Sequence, residues 1–187
     1  MKSFEPKPWL APQPVLIIGT YNKDGQPNAM NAAWGGQWDM KEIAICMGNH
    51  ATTENLNLCG EFSVAFATVD TLVAADYVGI VSARKDPDKM QKTGWTAVKA
   101  EKVNAPVFTD FPMTLECRIS RKIDEDPQGY YIIAEIVNIQ VDEKYLAEDG
   151  NPDIEKMKLI IFDPVHHTYI QLGNKVGFAF FDGRELK

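Results

Sequence analysis

The feature that most narrows the folds open to this chain is the order of its apolar runs. Strand-like runs come first and last, and helix signals sit between them. Pro12 and Pro14 lead into residues 15–21, the β-branched run VLIIGTY, and Asn22-Lys23-Asp24-Gly25 reads as a turn in which Gly25 is free to take a positive φ. The chain returns through residues 27–34, which gives a first hairpin, and residues 43–47 form a short strand. Thr52 and Thr53 are N-cap candidates for a helix through Leu56 and Leu58 that Gly60 ends. Residues 62–67 alternate apolar with small side chains. Asp70 can cap a second helix with Leu72, Val73, Ala75 and Tyr77 on its apolar face, and Asp86-Pro87-Asp88 opens a third that Gly94 closes. Residues 113–119 then alternate cleanly and pair naturally with 130–139, and 159–162 and 169–172 complete the strands. Parallel βαβ units need strict alternation of strand and helix, which is missing, so an antiparallel barrel with helical inserts fits best.

At 187 residues, without an internal repeat or long linker, the chain reads as one domain over residues 1–187. A 45% apolar and 24% charged composition argues against long disorder. The net charge of −7, with Lys and Arg spread out, argues against a nucleic-acid partner. Residues 1–8 lack an apolar signal-peptide core, and no stretch approaches a membrane span, so no membrane partner is expected. Cys46, Cys59 and Cys117 are odd in number and far apart, which points to a reducing compartment and hence the cytoplasm, with each thiol a buried small hydrophobe.

Chemistry is harder to find. There is no phosphate loop of Rossmann or Walker type, and no hydroxyl nucleophile can be paired with a base. No metal site is expected, since His166 and His167 are adjacent and would point to opposite faces of a strand. Any difficult reaction therefore belongs to a bound cofactor. Two segments suit a phosphate-bearing ligand, and a third suits a flat ring. Asn49-His50-Ala51-Thr52-Thr53 stands at a helix N-terminus, where free amides and the helix dipole favour an anion. Residues 79–89 offer small residues, Ser82 and three cations including Lys89. Residues 28–36 surround Ala32, Ala33 and Trp34 with the amides of Asn28 and Asn31, and so could lie against a flat ring. Each has an ordinary alternative: a helix cap, a solvated loop, and a tight strand with glycines at a bend.

Taken in order, these motifs resemble the flavin reductase-like, FMN-binding split-barrel family, and within it the flavoredoxin group. The likeness runs from residues 12–21 through the hairpin GQPNAMNAAWGG at 25–36, residues 51–56 and 60–64, the segment DYVGIVS at 76–82, Asp88-Lys89-Met90, Ala105-Pro106, residues 115–117 and GNKVG at 173–177. It implies a mainly β fold with helical inserts: a six-stranded antiparallel Greek-key split barrel, homodimeric, with non-covalent FMN near the subunit interface. By position, Asn31, Ala32, Ala33 and Trp34 would border the ring. Asn49, His50, Thr52 and Thr53 would hold the phosphate, and Ser82 and Lys89 would reach the ribityl chain or phosphate from the other side. Relatives place Arg or Lys where Asn49 and His50 stand, and an aromatic where Met90 stands. The implied activity is an FMN-dependent oxidoreductase working with NAD(P)H or a redox protein. The alternative is a non-catalytic flavin- or haem-binding barrel.

Overall fold

The computed structural model describes residues 1–126 and 129–186. Its centre is a seven-stranded antiparallel sheet in the order β3-β2-β6-β9-β10-β5-β4. The strands are β2 (Leu16–Tyr21), β3 (Pro27–Ala32), β4 (Gly35–Asp39), β5 (Glu42–Gly48), β6 (Glu61–Phe66), β9 (Met113–Asp126) and β10 (Gly129–Val141). Two smaller sheets flank it. One joins β1 (Gln13–Pro14), β11 (Ile160–Asp163) and β12 (Thr168–Gln171); the other joins β7 (Ala97–Lys99) and β8 (Pro106–Phe108). The helices are α1 (Ala51–Cys59), α2 (Leu72–Ile80) and α3 (Lys89–Thr93). Helix α1 carries the chain from β5 on one side of the sheet to β6 on the other, where β6 pairs with β2 and β9. This long return gives the Greek-key path that the family resemblance implied. The central sheet has seven strands rather than six because Gly35 and Gly36, read as a possible bend, lie in an edge strand paired with β5.

The sheet curls around Leu16, Ile18, Ile45, Met47, Phe62, Val64 and Ile132, with Leu56 of α1 among them. Each such side chain contributes about 1.5–3 kcal/mol by leaving water. A second core lies outside the sheet, where Val15, Ile17 and Ala29 meet Ala75 and Val78 of α2, Phe108 and Ile160. Strand β2 is thus buried on both faces, and this is why residues 15–18 read as an unbroken apolar run. Strands β3 and β4 are the two edges of the sheet, and no ladder joins them.

Several local expectations are corrected. His50, not Thr52 or Thr53, is the N-cap of α1; the helix starts two residues earlier than a Thr52 cap would place it. Thr53, three residues into the turn, reaches back so that its hydroxyl accepts the His50 amide hydrogen at 3.2 Å and donates to Gly48 O. Gly60 does end α1, at φ 69°. Thr71 rather than Asp70 precedes α2. Val73 stands 81% exposed while Val78 takes its place in the core, since the face turned to the sheet is set by what β3 presents. Helix α3 begins at Lys89, after the Asp86-Pro87-Asp88 turn. His166 and His167 are in the β11–β12 turn, not on a strand: His166 Nδ1 lies 2.7 Å from Asp163 Oδ2 and His167 has φ 57°. Only Cys117 is buried; Cys46 is half-buried and Cys59, in the last turn of α1, is exposed.

Candidate functional site

The edge of β3 sets the site. Lys89 Nζ donates to Ala29 O at 2.7 Å, so Ala29 turns its backbone away from β2, and by strand alternation Asn31 does the same. Among the described residues β3 has no sheet partner on this side. Beside β3 lies a cleft of about 560 Å³, lined by Asn28, Ala51, Asn55, Arg84 and Lys89 among others. A second cleft, of about 480 Å³, lies farther along the chain, lined by Ala33, Trp34, Gly35, Cys46 and Tyr131, with Leu10 and Pro12.

Lys89 is the unusual group. It is 3% exposed, and its ammonium donates to Ala29 O and to Val78 O, 2.9 Å away. An ammonium has three donors, so one is left over. No carboxylate pairs with it among the described residues. Burial pulls its pKa down to about 8. Arg84 adds a fixed charge: its Nη2 donates to Asn49 Oδ1 at 2.8 Å and to Glu54 Oε1 at 2.6 Å, tying the loop after α2 to the start of α1. The His50 ring lies over Gly48, and burial together with the Arg84 and Lys89 charges lowers its pKa. The three groups therefore form one positive neighbourhood at the N-terminus of α1, and His50 is its neutral member.

The expected residues divide on this geometry. Thr52 Oγ1 accepts from Asn28 Nδ2 at 3.0 Å and keeps its own hydrogen to donate. Thr53 spends both capacities on the cap. Asn28 Oδ1 is buried and without a partner. Ser82 accepts the Arg84 amide and stabilises that loop. Asn31 Nδ2 donates to Ala75 O of α2 at 3.1 Å. Ala32 belongs to the barrel core, whereas Ala33 and Trp34 line the second cleft, with Trp34 56% exposed. Arg84 was present in the cationic segment, but nothing in the sequence singled it out. Asn28 was flagged with its segment as an amide beside a ring, whereas Asn55 carries no local signal, because what distinguishes it is burial beside a cleft. Ala75, which accepts from Asn31, is followed by Asp76, which accepts from Tyr169, 93 residues further along the chain.

Comparison with known proteins matches residues 10–157 to the family described as Flavin reductase like domain. The chain belongs to this family. Among solved structures it is similar to a flavoredoxin of Desulfovibrio vulgaris (Miyazaki F), 33% identical over 98% of this chain and 99% of that one, with a TM-score of 0.92. A flavoredoxin from Methanosarcina acetivorans is 26% identical over the full length of both, with a TM-score of 0.89. An uncharacterized protein of Archaeoglobus fulgidus is 29% identical over 142 residues, 74% of this chain and 76% of that protein. The fold is the split barrel of this flavoprotein family, and membership brings a flavin ligand and an oxidoreductase type of function. The donor set described above suits such a ligand: the Lys89 ammonium with a spare hydrogen and the Arg84 guanidinium line one cleft beside Ala51 at the start of α1, and the buried Thr52 hydroxyl, with its hydrogen free, is bonded to Asn28 on the cleft wall. Among the described residues no helix is long and apolar enough to cross a membrane.

Proposed function

We propose that the protein is an FMN-dependent oxidoreductase of the flavoredoxin type. The observation that supports this most is Lys89, a buried cation with a spare donor and, among the described residues, no paired carboxylate, on the wall of the cleft at the N-terminus of α1. FMN ends in a phosphomonoester carrying close to two negative charges, whereas each inner phosphate of FAD carries one, so this donor set favours FMN. Lys89, Arg84, Thr52 and the first amides of α1 would hold the phosphate, with Asn49 and His50 beside them. Ser82 shapes the loop, Asn28 Oδ1 offers an acceptor to a ribityl hydroxyl, and Asn31, Ala33 and Trp34 would border the ring. The flavin itself supplies electron and hydride transfer; the chain supplies binding, orientation and hydrogen bonds that tune it. Full-length likeness to flavoredoxins supports electron exchange with a redox protein, with NAD(P)H as the other donor to be tested.

The unit is proposed to be the whole chain, acting as a homodimer in the cytoplasm. Free cysteines suit a reducing compartment. Trp34, Trp38 and the C-terminal Phe178, Phe180 and Phe181 are exposed aromatics that a second copy would cover.

The deciding experiment titrates the flavin-free protein with FMN, FAD and riboflavin. FMN should bind tightest, and riboflavin, which lacks the phosphate, on the order of 30–150-fold more weakly, the value of charge-assisted hydrogen bonds worth about 2–3 kcal/mol. Equal affinity for riboflavin and FMN, or no uptake of either, overturns the assignment. Anaerobic mixing with NADH and NADPH then separates a reductase, which bleaches, from a carrier, which does not.

A further inference from the structure

Two buried side-chain oxygens stand without a hydrogen-bond partner among the described residues, Asn28 Oδ1 and Gln13 Oε1. Asn28 is on the wall of the first cleft, whereas Gln13 lines the second, with Trp34 and Tyr131. Gln13 is 6% exposed, and its carboxamide makes one bond, from Nε2 to Pro8 O at 3.5 Å, the long limit for a hydrogen bond. A carbonyl shut away from water without a donor is costly, and folded chains keep few of them. The backbone that carries it is stiff. Pro14 confines the residue before it to extended conformations, and β1 pairs Gln13 with Phe162 of β11. The last side-chain torsion of a glutamine is soft by comparison, so the loosely held amide swings at little cost. The other amide on the cleft wall, Gln37, is exposed and donates to Asp39 O and Glu42 O of its own hairpin.

We propose that Gln13 recognises the imide edge of the flavin ring, with Oε1 as the acceptor for the ring N3–H. This rests on the FMN reading above, which puts the ring beside Ala33 and Trp34. The oxidised ring system has a single N–H, at N3, between two carbonyls, so an orphaned acceptor in the ring cleft has one donor to meet. A carboxamide complements that edge. Its oxygen accepts the N–H while its NH₂ donates to a neighbouring carbonyl, and Nε2 exchanges the stretched bond to Pro8 O for a better one. The rest of the wall suits the flat faces of a ring: Trp34 and Tyr131 are aromatic, and Ala33, Gly35 and Ala44 are small. The spacing of the clefts agrees. From Asn28 in the first to Ala33 in the second is five residues along β3 and its end, about 17 Å at the usual strand rise. A phosphate, a five-carbon ribityl chain and a three-ring system laid end to end cover such a distance.

The test titrates the flavin-free protein with FMN and with FMN methylated at N3, for the unaltered chain and for Gln13→Met, and records the denaturation midpoint of both flavin-free proteins. The unaltered chain should bind the methylated flavin about tenfold more weakly than FMN, the scale of one hydrogen bond. Gln13→Met should lose about tenfold in FMN affinity and bind the two flavins within about twofold of each other. Its flavin-free midpoint should equal or exceed that of the unaltered chain, because the orphaned carbonyl leaves with the amide, whereas loss of a structural glutamine lowers it. Gln13→Leu carries the test if Gln13→Met does not fold. Equal affinity of the unaltered chain for the two flavins, a discrimination that Gln13→Met retains, or a lowered flavin-free midpoint overturns the proposal while leaving FMN binding intact. Failure of the unaltered protein to bind FMN would instead overturn the functional reading, and this inference with it.

Discussion

Lys89 touches three elements at once: it opens α3, reaches Ala29 on β3 and Val78 on α2, and faces the cleft. Two predictions belong to it. Lys89→Met should weaken FMN binding by about 2–3 kcal/mol, on the order of 30–150-fold, measured by titration. The second concerns pH. A pKa lowered to about 8 means that the folded chain releases this proton while the unfolded chain holds it up to about 10.5. Between those values the unfolded state binds more protons, so the Lys89 contribution to stability rises with pH in the flavin-free protein. FMN affinity should move the opposite way, falling up to tenfold per pH unit above about 8, because only the ammonium pairs with phosphate. Denaturation and titration from pH 7 to 9.5, with Lys89→Met as reference, should show both trends, and the reference should show neither. Arg84 is exposed and shares its guanidinium with Glu54, so that ion pair contributes little to stability. Glu54→Gln should free Arg84 and tighten FMN binding, detectable in the same titration. Read by itself, a lysine after Asp-Pro-Asp in a cationic stretch is a solvated side chain; the family resemblance placed Lys89 beside the phosphate, and its burial is what the segment alone did not signal.

At the scale of an element, the start of α1 separates a structural threonine from a binding one. Thr53→Ala removes the hydroxyl that caps the helix and should cost about 1 kcal/mol in chemical denaturation, with FMN affinity nearly unchanged. Thr52→Val removes the hydroxyl whose hydrogen is free and should weaken FMN binding by more than it destabilises the fold. If the two variants exchange effects, the division of labour at this turn is wrong. The sequence marked the turn but not the division, since adjacent threonines before a helical run look alike until the cap is placed. Glycine signals were more reliable: Gly60 and Gly94 both end their helices at positive φ, because that backbone conformation favours glycine locally.

For the whole molecule, binding and assembly give the observable consequences. FMN at 100 times its Kd should raise folding stability by about 2.7 kcal/mol, seen as an upward shift in Tm. Sedimentation should give twice the 20.9 kDa chain mass, and charged substitutions at Phe178 and Phe180 should lower that mass. The sequence by itself determined the kind of fold. Period-two strands, turns after Tyr21 and the absence of βαβ order are local or nearly local, and they exclude a parallel sheet whatever the packing. The tertiary structure decided which polar residues matter. Thr114 and Glu116 alternate with apolar neighbours and read as a solvent face. Both are buried, and Glu116 accepts hydrogen bonds from Glu101, Lys102, Asn138 and Gln140 because the segment around 101–105 covers that side of β9. The same holds for Lys89 and for Tyr169 with Asp76. Burial and partnership are set by contacts between residues far apart in the chain, and local periodicity does not encode them.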